Sequence, residues 1–393
     1  MEDWTLTSFI LISAIKTLAI IFGVVLPMVS YTVYAERKVS ALIQDRVGPN
    51  RVGFPLTLFG GKKDFSFFGL IQPIADAVKL LIKEDFTPKH VNKFYYWLAP
   101  ALGVAPALIT LAVIPFGSFL NLDPILVPLG NALGVDLGFG AIQMVVANVD
   151  VGVLFIFAIA SVGVYGIVLA GWSANSKYPF LGGIRSSSQM ISYELSLGLS
   201  VIPIFLLIGN LNLSTIVQYQ IDNGWLILPF TDGRLTLIEI LLWIPIAISF
   251  LVFTVAMFAE TNRLPFDLPE AEQELVGGYH TEYSSMKFAL FFLGEYAAMI
   301  AGSAVIVTLF FGAWHLPFIP DGNGGGWAGL FWGLVNIATF FAKVAVLLIF
   351  FIWVRWTLPR FRYDQLMKLG WYFFFELALV NIFIAAIILA FVP

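Results

Sequence analysis

The sequence predicts an all-α integral membrane protein, with eight transmembrane helices and one interfacial amphipathic helix between the first and second spans. Two observations predict this class. Only 12% of the 393 residues are charged, against about 25% in a typical soluble domain. In addition, 59% of the residues are apolar and the mean hydropathy is +0.90. One globular core cannot hide so much apolar surface, so most of it must face lipid.

Eight apolar stretches are long enough to cross about 30 Å of hydrocarbon. They lie at 6–34, 94–116, 141–171, 189–208, 236–259, 286–312, 327–354 and 371–392. Lipid offers no hydrogen-bond partner to an exposed backbone amide, so each stretch is predicted to be a helix. We interpret the whole chain, 1–393, as one transmembrane domain.

The distribution of basic residues predicts the orientation of the spans. Of the 21 lysines and arginines, 18 lie in the odd-numbered connections, and ten of these are in the first connection, 36–93. Positively charged connections stay on the cytoplasmic side or its organellar equivalent. Because the number of spans is even, both termini are predicted to lie on the outer, periplasmic side.

The first connection contains a predicted amphipathic helix over 69–85. Its apolar residues recur at helical spacing, while Gln72, Asp76, Lys79 and Lys83 follow one another along the opposite face. The segment is too polar to cross the membrane, so we expect it to lie at the interface.

Ionisable residues inside spans are costly and therefore mark candidate functional positions. Glu194, Glu295 and Glu376 each follow a basic residue on the inner side by eight or nine positions, which places them roughly 12 to 14 Å into the membrane. Glu36 and Glu260 mark the inner ends of the first and fifth spans. The sequence therefore predicts that carboxylates from five helices are available to converge.

The fifth connection, 260–285, is strongly acidic, with six acids against the single base Arg263. The acids are Glu260, Asp267, Glu270, Glu272, Glu274 and Glu282. Like charges crowded in a poorly hydrated setting favour protonation of some of their number. We therefore interpret this loop as a proton store or relay.

Lys16 and Lys343 also fall inside predicted spans, where they are either ion-pair partners within the bundle or outward steps of the same proton path. The chain has no cysteine, and its three histidines all fall in connections. Thiolate-bound iron–sulfur clusters and haem held between two spans are therefore excluded, and we expect no metal site. The glycine-rich segments do not match nucleotide-binding patterns.

Several sequence strings resemble one family over nearly the whole chain. They are Tyr34–Lys38, Arg46–Arg51, Gln72–Lys79, Ser192–Glu194 and, the most specific, Glu260–Glu272 with its continuation to Tyr283. These strings resemble the quinone-site membrane subunit of respiratory complex I, which is the H-type subunit of the bacterial enzyme and NADH dehydrogenase subunit 1 of the mitochondrial one.

The resemblance implies a non-redox subunit of a proton-pumping NADH-quinone oxidoreductase, with no catalysis by the isolated chain. Such a subunit forms the quinone entry chamber and couples quinone reduction to proton translocation through buried carboxylates. Quinone is then the substrate, this chain binds no cofactor, and FMN and iron–sulfur clusters belong to partner subunits. The implied partners are the quinone-site hydrophilic subunits, the adjacent small membrane subunits and membrane lipids, without nucleic acid. Family likeness and length favour a bacterial inner membrane over a mitochondrial one.

The family's site positions are carried over residue by residue. The matching residues are Glu36, Arg37, Arg46, Asp76, Arg185, Glu194, Glu260, Arg263, Asp267, Glu270, Glu272, Glu274, Glu295 and Tyr296. Glu376 is a candidate only because of its depth in the eighth span, and the resemblance does not imply it. One departure is visible, because residues 56–68 form an insertion between the glycine–proline–asparagine turn and the amphipathic helix.

Besides a purely structural anchor, two other functions remain open at this stage. One is a homologous subunit of a membrane-bound hydrogenase or formate-oxidising complex, which keeps the acidic connection but needs no quinone. The other is a stand-alone proton or cation transporter, which the acids inside spans favour and the absence of obvious inverted repeats disfavours.

Overall fold

The computed structural model describes residues 6–53, 66, 68–133, 140–228, 237–269, 276–317 and 326–391. Within these residues, eight helical spans are long and apolar enough to cross a membrane, which confirms the predicted fold class. The spans are Ile12–Ile43, Lys93–Leu111, Gly152–Ser173, Lys177–Ile208, Ile240–Glu260, Ser285–Phe310, Gly326–Thr357 and Tyr363–Ala390.

The first and last spans are not uniform α-helices. The first helix begins at Leu6 and consists of Leu6–Leu18, a π-helical segment Ala19–Val25 and Leu26–Ile43. The eighth consists of Tyr363–Lys368, a π-helical segment Leu369–Phe374 and Phe375–Ala390. The described fifth helix extends from Leu237 to Glu260, slightly beyond its most apolar part.

Short elements occupy the connections. The connector helix, Gln72–Ile82, lies within the predicted 69–85 segment, and its position at the membrane interface stays a prediction. Two further helices lie in even-numbered connections, Asp123–Leu133 and Leu213–Asn223. A two-stranded antiparallel hairpin pairs Phe119–Asn121 with Ala141–Gln143, and a single 3₁₀ turn covers Gly278–His280.

Some predicted span boundaries were wrong. The third helix begins at Gly152 and not at 141, because residues 141–143 pair in the hairpin and Asn148 binds the side chains of Asn212 and Ser214. The first, fourth and eighth helices extend further than predicted toward the odd-numbered connections, a direction that we call inward, to Ile43, Lys177 and Tyr363. Hydropathy detects where apolar residues end, whereas a helix continues as long as its backbone bonds are favourable.

The sixth span, Ser285–Phe310, is the most buried of the eight and packs against the second span through small residues. A Cβ atom on Gly294 would lie 2.7 Å from the carbonyl oxygen of Gly103, so the two backbones approach closely here. A Cβ on Gly302 would lie within 3.0 Å of three side-chain atoms of Met257, which projects from the fifth span. Small residues therefore bring three helices together at the centre of the bundle.

Candidate quinone and proton site

A buried ion cluster joins the inner ends of several spans. Glu36 is only 7% exposed, and its Oε2 accepts a 2.6 Å hydrogen bond from the Tyr296 hydroxyl. The same oxygen lies 3.4 Å from Nη1 of Arg263, while Arg355 donates to Oε1. We call Glu36, Arg263, Tyr296 and Arg355 the inner cluster. It connects the first, sixth and seventh spans to the fifth connection.

Arg263 serves two carboxylates at once. Its Nε lies 2.9 Å from Oε1 of Glu295, and its guanidinium lies 4.2 Å from the centroid of the Tyr296 ring. The Arg263 side chain is only 5% exposed, so these charges are held away from bulk water. A planar guanidinium with several donors can bridge Glu36 and Glu295, whereas a single ammonium group cannot match this geometry.

The turn that carries Arg263 is fixed by a buried amide from the fourth span. Gln189 donates 2.8 and 2.7 Å hydrogen bonds to the carbonyl oxygens of Ala259 and Phe266. Asn262 has a positive φ of 51°, a conformation that asparagine tolerates better than most residues. The backbone therefore reverses directly after the fifth span and directs Arg263 into the bundle.

Three carboxylates from three spans line one cavity of about 120 Å³. They are Glu194, Glu260 and Glu295, and we call this space the acid cavity. Its volume holds several waters, since each takes roughly 30 Å³ in the liquid. Of the five acids that the sequence makes available to converge, these three therefore line one cavity.

The three acids differ in what surrounds them. Glu295 has Arg263 beside it, and Glu194 accepts a hydrogen bond from the Ser161 hydroxyl of the third span. One carboxylate oxygen of Glu260 is buried without a hydrogen-bond partner among the residues that the structure describes. The acid cavity thus holds three carboxylates next to a single base of the described chain.

The remaining residues of the implied set lie around this centre. Arg37 and Asp76 form a half-exposed ion pair of 2.6 Å between the first span and the connector helix, and Gln72 also donates to Asp76. Arg46 is exposed, and Arg185 is half-buried near the inner end of the fourth span.

The fifth connection is described only in part. Asp267 is buried and pairs with Arg360 at 2.7 Å, which ties the connection to the chain between the last two spans. Glu270, Glu272 and Glu274 lie outside the described residues. Of the six acids in 260–285, the structure therefore describes Glu260, Asp267 and Glu282. Their role as a proton store stays a prediction.

The three positions proposed as further relay groups occupy different environments. Lys16 donates to the carbonyl oxygens of Gln143 and Val145 at 2.8 and 3.1 Å. Lys343 binds three backbone carbonyls at 2.7 to 2.9 Å. Glu376 does not join the acid cavity, since its side chain is exposed on the outer surface of the eighth span.

The inserted segment 56–68 falls mostly outside the described residues, and only Ser66 and Phe68 at its C-terminal end are described. The Ser66 hydroxyl bonds the carbonyl oxygen of Asn50. The hydroxyl of Tyr34 donates a 2.6 Å hydrogen bond to the carbonyl oxygen of Phe68. The C-terminal end of the insertion therefore lies beside Tyr34 of the first span.

Several site residues were not found by sequence reasoning. Arg355 and Arg360 counted only as positive charges near span ends, although they pair with Glu36 and Asp267. Lys287, counted in the same way, is buried and binds Asp85 at 2.8 Å, anchoring the first connection to the sixth span. Ser161 gave no signal, because a serine in a span is common in packed helices.

The end of the fifth connection, just before the sixth span, packs against the second span through stacked aromatic rings. Tyr96 stacks on Tyr283 with centroids 4.2 Å apart, and its hydroxyl donates to the Glu282 carbonyl oxygen. Burial raises the pKa of Tyr283, so its phenol stays protonated.

No group of histidines or acids suited to hold a metal ion occurs in the described part of the chain.

Comparisons with known proteins identify the family of the chain. The model of the family described as NADH dehydrogenase matches residues 15–386. The chain is 44% identical over 385 residues to an H-type subunit of NADH-quinone oxidoreductase from Koribacter versatilis, covering 97% of this chain and 98% of the relative. It is 45% identical to an H-type subunit of the same enzyme from Geobacter sulfurreducens, over 96% of this chain and 95% of the relative. It is also 45% identical to NADH-quinone oxidoreductase subunit 8 of Rhodothermus marinus, over 98% and 96% of the two chains.

Proposed function

The chain belongs to the NADH dehydrogenase family, and we propose that it forms the membrane part of a quinone chamber and couples quinone reduction to proton translocation. Its relatives are named as subunits of NADH-quinone oxidoreductase, so further subunits of such a complex are implied partners. The isolated chain carries no redox group in this proposal. FMN and iron–sulfur clusters of partner subunits supply the electrons.

The observation that carries the proposal is the shared acid cavity. Glu194, Glu260 and Glu295 line one cavity, and among the described residues only Glu295 has a base beside it. A carboxylate held away from water is charged only at a cost unless a base or donor compensates it. Such a set can take up and release protons when the charge nearby changes.

Arg263 supports a link between this cavity and the inner end of the bundle. Its guanidinium contacts both Glu36 and Glu295, so a change of charge at one carboxylate alters the electrostatic balance at the other. Reduction of a quinone by two electrons requires two protons to form the quinol. We propose that quinone reduction changes the electrostatic balance at the inner cluster, and that Glu295 and the acid cavity release protons in response.

The surroundings of the connector helix support an entrance for quinone from lipid. Arg37 of the first span pairs with Asp76 of this helix, and the hydroxyl of Ser285 in the sixth span donates to its Leu80 carbonyl oxygen at 3.0 Å. Ile74 and Val78 on the helix are exposed. An apolar quinone tail fits an entrance framed by these three helices, and the arginine–carboxylate pair at its edge suits a polar headgroup.

The same proposal places the odd-numbered connections on the cytoplasmic side and both termini on the outer side of a bacterial inner membrane. Lys16 and Lys343 are candidates for outward steps of the proton path. Each ammonium is instead satisfied by backbone carbonyls, which equally supports a purely structural role for the two lysines.

The experiment is replacement of the cavity acids in the assembled complex. Glu295→Gln and Glu194→Gln keep the size and hydrogen-bonding capacity of the side chain but remove its proton exchange. We expect normal assembly and a loss of coupled quinone reductase activity of about tenfold or more, as for general acid–base groups. Asp222→Asn, on the exposed part of the helix Leu213–Asn223, serves as the matched control.

Wild-type rates and wild-type proton stoichiometry in both Gln variants would contradict the proposal. The two alternatives are separated by other readouts. A hydrogenase-type subunit predicts no inhibition by quinone analogues, and a stand-alone transporter predicts ion flux by the reconstituted chain alone. The names of the relatives favour the quinone oxidoreductase.

A further inference from the structure

Glu376 differs from the other ionisable side chains deep inside the spans. Glu194 and Glu295 have partners within the chain, as do Lys16 and Lys343. The Glu376 side chain is exposed, and no hydrogen bond or ion pair joins it to any other residue of the described ranges. The described structure therefore covers these four embedded charges and leaves Glu376 open.

Two independent measures place Glu376 inside the hydrocarbon layer. It follows Lys368 by eight residues, a rise of about 12 Å along the helix. Asn381 fixes the eighth span against the fifth, because its amide donates to the Pro245 carbonyl and the Ser249 hydroxyl at 2.9 and 3.0 Å. Glu260, at the inner end of the fifth span, is eleven residues from Ser249, or about 16.5 Å along the helix. Glu376 is only five residues from Asn381 in the same direction, or about 7.5 Å. Glu376 therefore lies roughly 9 Å further inside the membrane than Glu260.

Glu376 lies on an exposed helix face. Tyr372, Leu379, Phe383 and Ile387 are also exposed, and their spacing of three or four residues places them on one side of the helix with Glu376. Lipid can cover the apolar members of this stripe. A carboxylate directed at hydrocarbon is costly unless another group supplies a charge or a hydrogen bond.

We propose that this face docks a membrane-spanning helix of a partner subunit that presents a lysine or arginine to Glu376. The depth of the carboxylate requires an embedded partner and not a soluble one. A second copy of this chain does not fit, because a two-fold contact through this face would oppose Glu376 with Glu376. Its embedded lysines, Lys16 and Lys343, are already held by backbone carbonyls. This contact requires only family membership, and it does not depend on the proposed proton path.

Photo-crosslinking in the assembled complex tests the contact. A photoreactive phenylalanine analogue replaces Phe383 on the proposed face, and the same analogue replaces Phe331, an exposed residue of the seventh span, as the control. We expect the Phe383 position to form an adduct with a partner span that carries a lysine or arginine within about one helical turn, or 5.4 Å, of the depth of Glu376. The Phe331 position should not form that adduct. Adducts at position 383 with lipid alone, with a second copy of this chain, or with a span lacking a base would overturn the proposal.

Charge variants test the chemistry of the same contact. Glu376→Lys should lower the yield of the Phe383 adduct by about tenfold or more, because like charges at an embedded interface repel. Glu376→Gln should retain most of the adduct, since the amide oxygen still accepts a hydrogen bond. An unchanged yield in Glu376→Lys would contradict the proposal.

If the Glu376→Lys chain does not accumulate in the membrane, a charge reversal tests the ion pair instead. The base identified in the partner is changed to glutamate in the same strain. Recovery of chain level and of the adduct at position 383 is the expected result. Failure of the reversed pair to recover either one, while the partner variant assembles with Glu376→Gln, would refute the ion pair.

Discussion

The inner cluster and the acid cavity are built from the same residue types but in opposite proportions. In the inner cluster, Glu36 is served by two arginines and a tyrosine hydroxyl. In the acid cavity, three carboxylates share one arginine of the described chain, and this arginine pairs with Glu295. We therefore expect a buried carboxylate with surplus donors to stabilise the fold, and one without them to be suited to proton exchange.

The difference follows from depth. Glu36 stands at the inner end of its span, where Arg355 and Arg263 reach it from the ends of neighbouring spans. The acid cavity lies further inside, and Arg263 reaches only its edge. Arg263 therefore belongs to both regions. Variants of the two regions should differ in their effect on the free energy of unfolding, which separates a structural carboxylate from an exchanging one.

The largest effect is expected for Glu36→Gln. The change leaves Arg263 and Arg355 buried beside a neutral group, and removal of one partner of a buried ion pair costs about 3–5 kcal/mol. Thermal unfolding of the purified chain in detergent should show a strongly lowered midpoint. Combination with Arg355→Gln, which removes one of the stranded charges, should recover part of the loss. A midpoint equal to that of the unmodified chain would show that the inner cluster is not structural.

A smaller effect is expected for Arg263→Lys. An ammonium group keeps the charge but cannot hold Glu36 and Glu295 together, and one lost charged hydrogen bond costs roughly 1.5–3 kcal/mol. Coupled quinone reductase activity should fall more than stability does, because the link between the two regions is broken. Equal activity in Arg263→Lys and the unmodified complex would contradict this bridging role.

The smallest effect on stability is expected for Arg37→Ala. Its ion pair with Asp76 is partly solvated, with side chains 48% and 30% exposed, and such pairs contribute about 0.2–1 kcal/mol. The unfolding midpoint should hardly move. The apparent affinity for quinone should fall if the pair borders the entrance, and steady-state kinetics at varied quinone concentration measure this. An unchanged apparent affinity would remove Arg37 from the entrance.

The sequence predicted the eight spans because hydropathy acts over about twenty residues and tolerates local error. It also predicted five carboxylates available to converge, since a charge inside a span is rare enough to be informative, and three of them, Glu194, Glu260 and Glu295, line the acid cavity. Partner choice could not be predicted in the same way. Arg355 meets Glu36 across 319 positions of sequence, and no local pattern specifies such a contact.

Glu376 shows what the depth argument lacked. Its depth matches that of Glu295, yet one side chain lines the acid cavity and the other is exposed. Depth follows from counting residues, but direction follows from helical phase. The eighth span is apolar on all sides and so gives no periodic signal from which the phase could be deduced.

Infrared difference spectroscopy of the assembled complex, recorded before and after quinone reduction, tests the central contrast most directly. Carboxylic acid carbonyl bands report proton uptake or release by individual acids. We predict that Glu194→Gln, Glu260→Gln and Glu295→Gln each remove part of the difference signal, while Asp222→Asn leaves it intact. A difference spectrum without carboxylic acid bands, or one identical in all four variants, would contradict the assignment of proton exchange to the acid cavity.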